Sequence, residues 1–132
     1  PSAYRVVTPE LVEEVLRYDP PLHVFTRYAY KDIDCFGIKI KKGQEVACLL
    51  AAANRDPNFV EDPNRFDPFR KPSQHQSFGA GLHFCVGAPL ARLEITTGLQ
   101  TLFERRPDLK IVVPPTYAKT YHFHGLVELM VR

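Results

Sequence analysis

Apolar and polar residues change their period three times along the chain. Leu11, Val15 and Tyr18 recur at helical spacing behind Thr8-Pro9-Glu10. Those three residues make a helix start: a hydroxyl N-cap, a proline whose missing N–H costs little in the first turn, and an acid at the positive dipole end. Pro20-Pro21 cannot continue the helix, so it is predicted to end near Tyr18. From Val24 the pattern shortens to β-type runs: Val24-Phe25, Tyr28 to Tyr30, Ile33 to Phe36 and Ile38 to Ile40. Turn residues at Asp32, Gly37 and Lys42-Gly43 separate them. Glu45 to Ala53 fits a buried strand or a short helix. Periodicity then stops, and Asn54 to Ser77 carries Pro57, Pro63, Pro68 and Pro72 with aromatic anchors at Phe59, Phe66 and Phe69. An irregular stretch this long inside a domain usually serves a function. Ala88 to Arg105 reads as the strongest helix, with Ala91, Ile95, Gly98, Leu99 and Leu102 as its apolar stripe and Pro107 beyond its end. Leu109 to Val113 and Leu126 to Val131 return to strand character.

The 132 residues suit one domain, 1–132, with no internal boundary. An apolar share of 45% with 24% charged residues is globular, and no apolar run approaches the ~20 residues of a membrane span. Seventeen basic against fifteen acidic residues leave a net charge of +2, too even to point to nucleic acid or an anionic membrane. Three cysteines (Cys35, Cys48 and Cys85) at wide spacings fit a reducing compartment. With no basic and apolar leader at Pro1 to Thr8, the expected location is cytoplasmic. The first residue is not Met, so the chain is expected to be a piece of a longer one.

The chemistry concentrates in Phe78-Gly79-Ala80-Gly81-Leu82-His83-Phe84-Cys85-Val86-Gly87, which runs into the predicted helix. A cysteine at a helix N-terminus meets partial positive charge and free N–H groups, which favour the thiolate and hydrogen-bond its sulfur. Gly79 and Gly81 allow a tight turn with positive φ. Gly87 lets the helix backbone approach a flat ring, and Phe78 can shield the sulfur.

At these residues the chain resembles the cytochrome P-450 family of haem-thiolate monooxygenases, whose cysteine loop reads F-G-x-G-x-H-x-C-x-G. All six fixed positions are present. The resemblance continues in Glu14-Val15-Leu16-Arg17, an E-x-x-R whose two charges share a helix face, and in Ala51 to Pro57. Val86 and Pro89 depart mildly from the family pattern, as does Glu128-Leu129-Met130.

This resemblance implies an α+β portion of the mainly α cytochrome P-450 fold. It is the carboxyl-terminal, proximal-haem part: short β-hairpins, a long irregular meander, the cysteine loop and the following helix. It implies haem b as cofactor with Cys85 as axial thiolate. Arg27, His75, Phe78, Gly79, His83 and Gly87 become cofactor-binding residues. Glu14, Arg17 and Arg65 become a structural triad pinning the meander. Leu22, His23, Val24, Phe25, His122 and Phe123 fall on the substrate side, which suggests a small hydrophobic substrate. Arg92, with Arg70-Lys71, falls where a ferredoxin-type or similar electron donor would dock. The family's distal oxygen-activating helix has no counterpart in these residues, so the isolated chain is expected to be incompetent for turnover and open to self-association. Two readings remain: part of a monooxygenase, or a non-catalytic haem-binding or interaction module of the same ancestry. A zinc site from His75, His83, Cys85 and Cys48 is the rival chemistry, disfavoured because His-x-Cys is its only close pair. Lys39 to Lys42 read as solvated turn residues.

Overall fold

The structure is a computed structural model that describes residues 6–71 and 74–132. Pro72 of the irregular stretch, and residues 1–5 of the region read for a leader, lie outside the described residues.

The first helix, α1, spans Pro9–Tyr18, and the Thr8 side chain accepts the Leu11 amide at 3.2 Å as its N-cap. Strand β1 (Val24–Tyr28) pairs antiparallel with β4 (Glu45–Leu49), Val24 facing Leu49 and Tyr28 facing Glu45. Between them β2 (Ile33–Cys35) and β3 (Ile38–Ile40) form a hairpin. Phe36 (φ 52°) and Gly37 (φ 84°) make its two-residue turn, and the Asp34 carboxylate accepts the Gly37 amide at 2.8 Å. Two successive positive φ values match the right-handed twist of the flanking strands. The ambiguous run Glu45 to Ala53 resolves into both alternatives, β4 followed by the one-turn helix α2 (Leu50–Ala53).

Helix α3 spans Ala88–Arg105. Its Ile95, Leu99 and Phe103 pack on the buried cluster Val7, Val12 and Leu16, so the core is the seam between α1 and α3. The contact stripe is the i, i+4, i+8 row. Gly98 and Leu102, expected inside, face outward beside it, and Phe103 takes the inner place. The carboxyl-terminal segment is thinner than the pattern suggests. Thr116–Tyr117 (β5) pairs with Leu126–Glu128 (β6), and the Leu109 to Val113 run contributes only an isolated bridge between Ile111 and Val131.

The irregular stretch from Asn54 is organised by a buried guanidinium. Arg17 is only 1% exposed. Its five N–H donors make five bonds: to both Glu14 carboxylate oxygens (2.7 and 2.8 Å) and to the carbonyls of Asn54 (3.0 Å), Pro63 (2.9 Å) and Arg65 (3.3 Å). That is the full donor capacity of an arginine. The stretch lacks a ladder of its own, and three of its carbonyls find a partner on one side chain of α1.

Candidate haem-thiolate site

The cysteine loop turns where its glycines permit. Gly79 (φ +70°) and Gly81 (φ +67°) both occupy the left-handed region, where a Cβ would be strained. Gly81–His83 forms a single 3₁₀ turn, and the Cys85 amide donates to the Phe78 carbonyl at 2.9 Å, closing the loop. Cys85 is exposed and precedes the α3 N-cap, Gly87, which has no side-chain cap bond. A Cβ on Gly87 would stand 3.8 Å from the Cys85 sulfur.

Cys85 lies on the wall of a cavity of about 710 Å³ between β1, β4, the start of α2 and the cysteine loop. Leu22, Phe25, Arg27, Cys48, Leu50, Gln76, Ser77, Phe78, Gly79 and His83 complete the lining. Arg27 stands on β1 with its guanidinium 4.2 Å from the Phe25 ring centre. Thus Cys85, Arg27, Phe78, Gly79 and His83 share one cavity.

His75 does not line it. Its ring is buried, Nδ1 accepts the Ser77 amide at 3.2 Å, and Nε2 faces the Glu13 carboxylate at 3.2 Å. With Nδ1 accepting, Nε2 carries the proton toward Glu13. Burial pushes the His75 pKa down, against the opposing pull of Glu13. Gln76 takes the place on the cavity wall. Glu13 also takes a two-pronged bond from Arg92, which holds its pKa below the usual carboxylate range despite burial. Arg92 is therefore not a free surface cation. It is spent on Glu13 and on the Phe78 face, 4.7 Å from the ring centre.

Arg65 requires a correction. Its side chain is 67% exposed and faces Asp67; only its backbone carbonyl reaches Arg17. The third member of the triad at Glu14 is Arg70, 15% exposed, with Nε 3.4 Å from the carboxylate. Burial acts on Glu14 to raise its pKa. The Arg17 bonds, the Asp67 amide (2.8 Å) and the two guanidinium charges outweigh it, so the net direction is down.

Of the residues expected on the substrate side, Leu22 and Phe25 line the cavity, whereas Val24, His122 and Phe123 do not. Backbone bonds tie 21–23 to 122–124 on either side of the Leu22–Phe123 bridge. The ladder turns alternate side chains to opposite faces. His23 turns away and stacks on His124, ring centres 4.6 Å apart.

Sequence reasoning missed Glu13 and Asn54, and read Arg70 as a docking residue rather than a partner of Glu14. Asn54 is 1% exposed. Its amide donates to the Arg17 carbonyl (3.1 Å) and the Ser77 hydroxyl (2.9 Å), and its oxygen accepts the Gln76 amide (2.6 Å). It clasps α1 to the entry of the cysteine loop. The signal available was the Ala51 to Pro57 stretch, conspicuous in sequence but without an assigned role.

The mostly apolar cavity is thus lined by an exposed thiol on a glycine loop and by the Arg27 guanidinium. Residues 5–106 match the family described as Cytochrome P450. The biotin biosynthesis cytochrome P450 of Bacillus subtilis (strain 168) is 44% identical over 121 residues, 91% of this chain and 31% of its own length. The 6-deoxyerythronolide B hydroxylase of Saccharopolyspora erythraea is 45% identical over 103 residues, 78% of this chain and 26% of its own. Among solved structures, P450BioI in complex with hexadec-9Z-enoic acid ligated acyl carrier protein superposes with a TM-score of 0.87 at 42% identity, covering 94% of this chain and 34% of that one. CYP109E1 from Bacillus megaterium in complex with testosterone gives 0.89 at 38%, covering 94% and 35%. The chain belongs to the cytochrome P450 family, and it spans about a quarter to a third of the length of these relatives. Among the described residues no helix is long and apolar enough to cross a membrane.

Proposed function

We propose that this chain supplies the proximal, thiolate-bearing part of a haem-dependent monooxygenase. The observation that carries the reading is the Cys85 loop on the wall of the 710 Å³ cavity, which Arg27 and His83 also line. The residues fit haem b. The cavity lies within the range of about 300–1,000 Å³ for small-molecule and cofactor sites. Cys85 offers the axial sulfur, and Arg27 and His83 offer donors for the propionate carboxylates. When bound, the haem supplies dioxygen activation favoured by the thiolate's electron density. The chain's own residues orient the sulfur through the hydrogen bond from the Cys85 N–H to the Phe78 carbonyl and anchor the cofactor edge. Gly87 gives α3 a side-chain-free approach to the ring.

The substrate class that suits Leu22, Phe25 and Leu50 is a small hydrophobic molecule, and the electron source a ferredoxin-type protein. Partner steering would rest on Lys71 rather than on Arg92 or Arg70, whose charges are engaged by Glu13 and Glu14. Turnover requires further residues on the opposite face of the haem, outside the part these 132 residues match.

The test is ligation in the full-length protein. Cys85→Ala abolishes the red-shifted Soret band of the reduced carbon monoxide complex, whereas Cys48→Ala keeps it. The reverse result overturns the assignment.

A further inference from the structure

Three side chains that do not line the cavity converge elsewhere on the chain. Asp19 ends α1 as its C-cap, His23 precedes β1, and His124 precedes β6. One ligating atom of each lies within 4.8 Å of the others. The His124 Nε2 is 3.5 Å and the His23 Nε2 4.0 Å from the same Asp19 oxygen. Their side chains are 31%, 33% and 49% exposed, open enough for an ion to enter.

The backbone holds this convergence in place. The His23 amide donates to the His122 carbonyl and the His124 amide to the Pro21 carbonyl, both at 2.9 Å, with the Leu22–Phe123 bridge between them. Tyr117 stacks on the far face of His124 at 4.1 Å, so the sequence of rings is Tyr117, His124, His23.

We propose that Asp19, His23 and His124 form a binding site for a borderline divalent cation of the zinc class. Two imidazoles and one carboxylate, with a position left for water, is a common donor set for such ions. At ligand distances near 2.0–2.1 Å, tetrahedral donors sit about 3.4 Å apart. The His124–Asp19 distance already meets that. His23 must close by roughly half an ångström, and the two rings, 17° from parallel, must tilt to aim both lone pairs at one ion. The ion would tie the end of α1 to the carboxyl-terminal hairpin beside Leu22, which lines the cavity.

The experiment titrates Zn²⁺ into the full-length, haem-loaded protein by calorimetry, with Co²⁺ as the spectroscopic probe. One ion binds per chain, with ligand-field bands of a nitrogen and oxygen set and no thiolate charge-transfer band. His23→Ala and His124→Ala each weaken binding by about tenfold or more, as loss of a direct ligand should. Asp19→Asn, which keeps the shape, does the same and guards against misfolding of the histidine variants. His122→Gln leaves binding intact, because that ring sits on the Val24 carbonyl instead. The thermal midpoint rises with Zn²⁺ in the wild type and not in the ligand variants. No saturable binding, a thiolate band, or equal binding in the three ligand variants overturns the site.

Discussion

Arg17→Lys is the sharpest probe of how the irregular stretch is held. Arginine fills five acceptor positions here: two on Glu14 and the carbonyls of Asn54, Pro63 and Arg65. A lysine carries three donors from a single point, so it can keep the Glu14 contact but must abandon at least two of the others. Each buried acceptor left unpaired costs ~1–3 kcal/mol. The substitution therefore costs about 2–6 kcal/mol, against a whole-domain stability of about 5–15 kcal/mol. Arg17→Ala, which strands the Glu14 charge as well, lies at the ~3–5 kcal/mol of a broken buried pair or beyond. Urea unfolding of the full-length protein, followed by circular dichroism and haem absorbance together, measures these values. Two companions locate the third member of the triad. Arg65→Ala stays within about 0.5 kcal/mol, because an exposed side chain is removed and the useful carbonyl remains. Arg70→Ala costs about 1–2 kcal/mol through its contact with Glu14. An unchanged midpoint in Arg17→Lys, or an Arg65→Ala effect equal to that of Arg70→Ala, refutes the reasoning.

Acid titration tests the Glu13 cluster. The His75 pKa is lower in the folded state, so the unfolded chain takes up the proton first, and stability present above about pH 6.5 is lost as pH falls below it. Glu13 adds a second loss below the ordinary carboxylate range, because its own folded pKa is also lowered. His75→Gln, which keeps a donor for Glu13, flattens the denaturation midpoint between about pH 7 and 5 while leaving the lower step; an unchanged slope there would discount the cluster. In the cysteine loop, Gly81→Ala costs ~1–2 kcal/mol from φ alone, since nothing lies within 4 Å of the added methyl. Gly87→Ala behaves differently: its φ is ordinary and its Cβ meets only the Cys85 sulfur at 3.8 Å. Its thermal midpoint without haem stays near wild type, while haem loading falls because the methyl meets the bound ring; undiminished loading removes Gly87 from the cofactor contacts.

What could be read from sequence tracks how local the determinants are. The bounds of α1 and α3 follow from Thr8-Pro9, from Pro20-Pro21 and from Pro107, and the positive φ values of Gly79 and Gly81 follow from the loop spacing. Each is set within a few residues. Arg65 was misplaced because two arginines five residues apart, in a segment with no period, are equivalent until the chain's path is known. The path itself is fixed by carbonyls that have no sequence signature. His75 and His23 were misplaced for a related reason. Each sits one position from a residue that does line the cavity, Gln76 and Leu22, and a one-residue difference in an extended segment reverses the face. Arg92 was legible as a cation but not as a spent one, since its partner Glu13 lies 79 positions away.

Glu13 and Glu14, adjacent in sequence, lie about 100° apart around α1, and that angle divides their work. Glu14 faces the irregular stretch and is 3% exposed; burying its charge costs several kcal/mol that the Arg17 fork only offsets. The pair thus contributes little net stability compared with an apolar substitute of the same shape. What it contributes is uniqueness of path, because an apolar pair could not satisfy the three carbonyls that Arg17 collects. Glu13 faces the other way, to His75 and Arg92. Arg92 covers Phe78, and the Phe78 carbonyl takes the Cys85 amide. The sulfur's position is therefore referred back to α1 through two side chains and one backbone bond, while the meander is referred to the same helix one residue further on. A disturbance that rotates α1 moves both, so the geometry of the Cys85 loop and meander order should be lost together rather than in sequence.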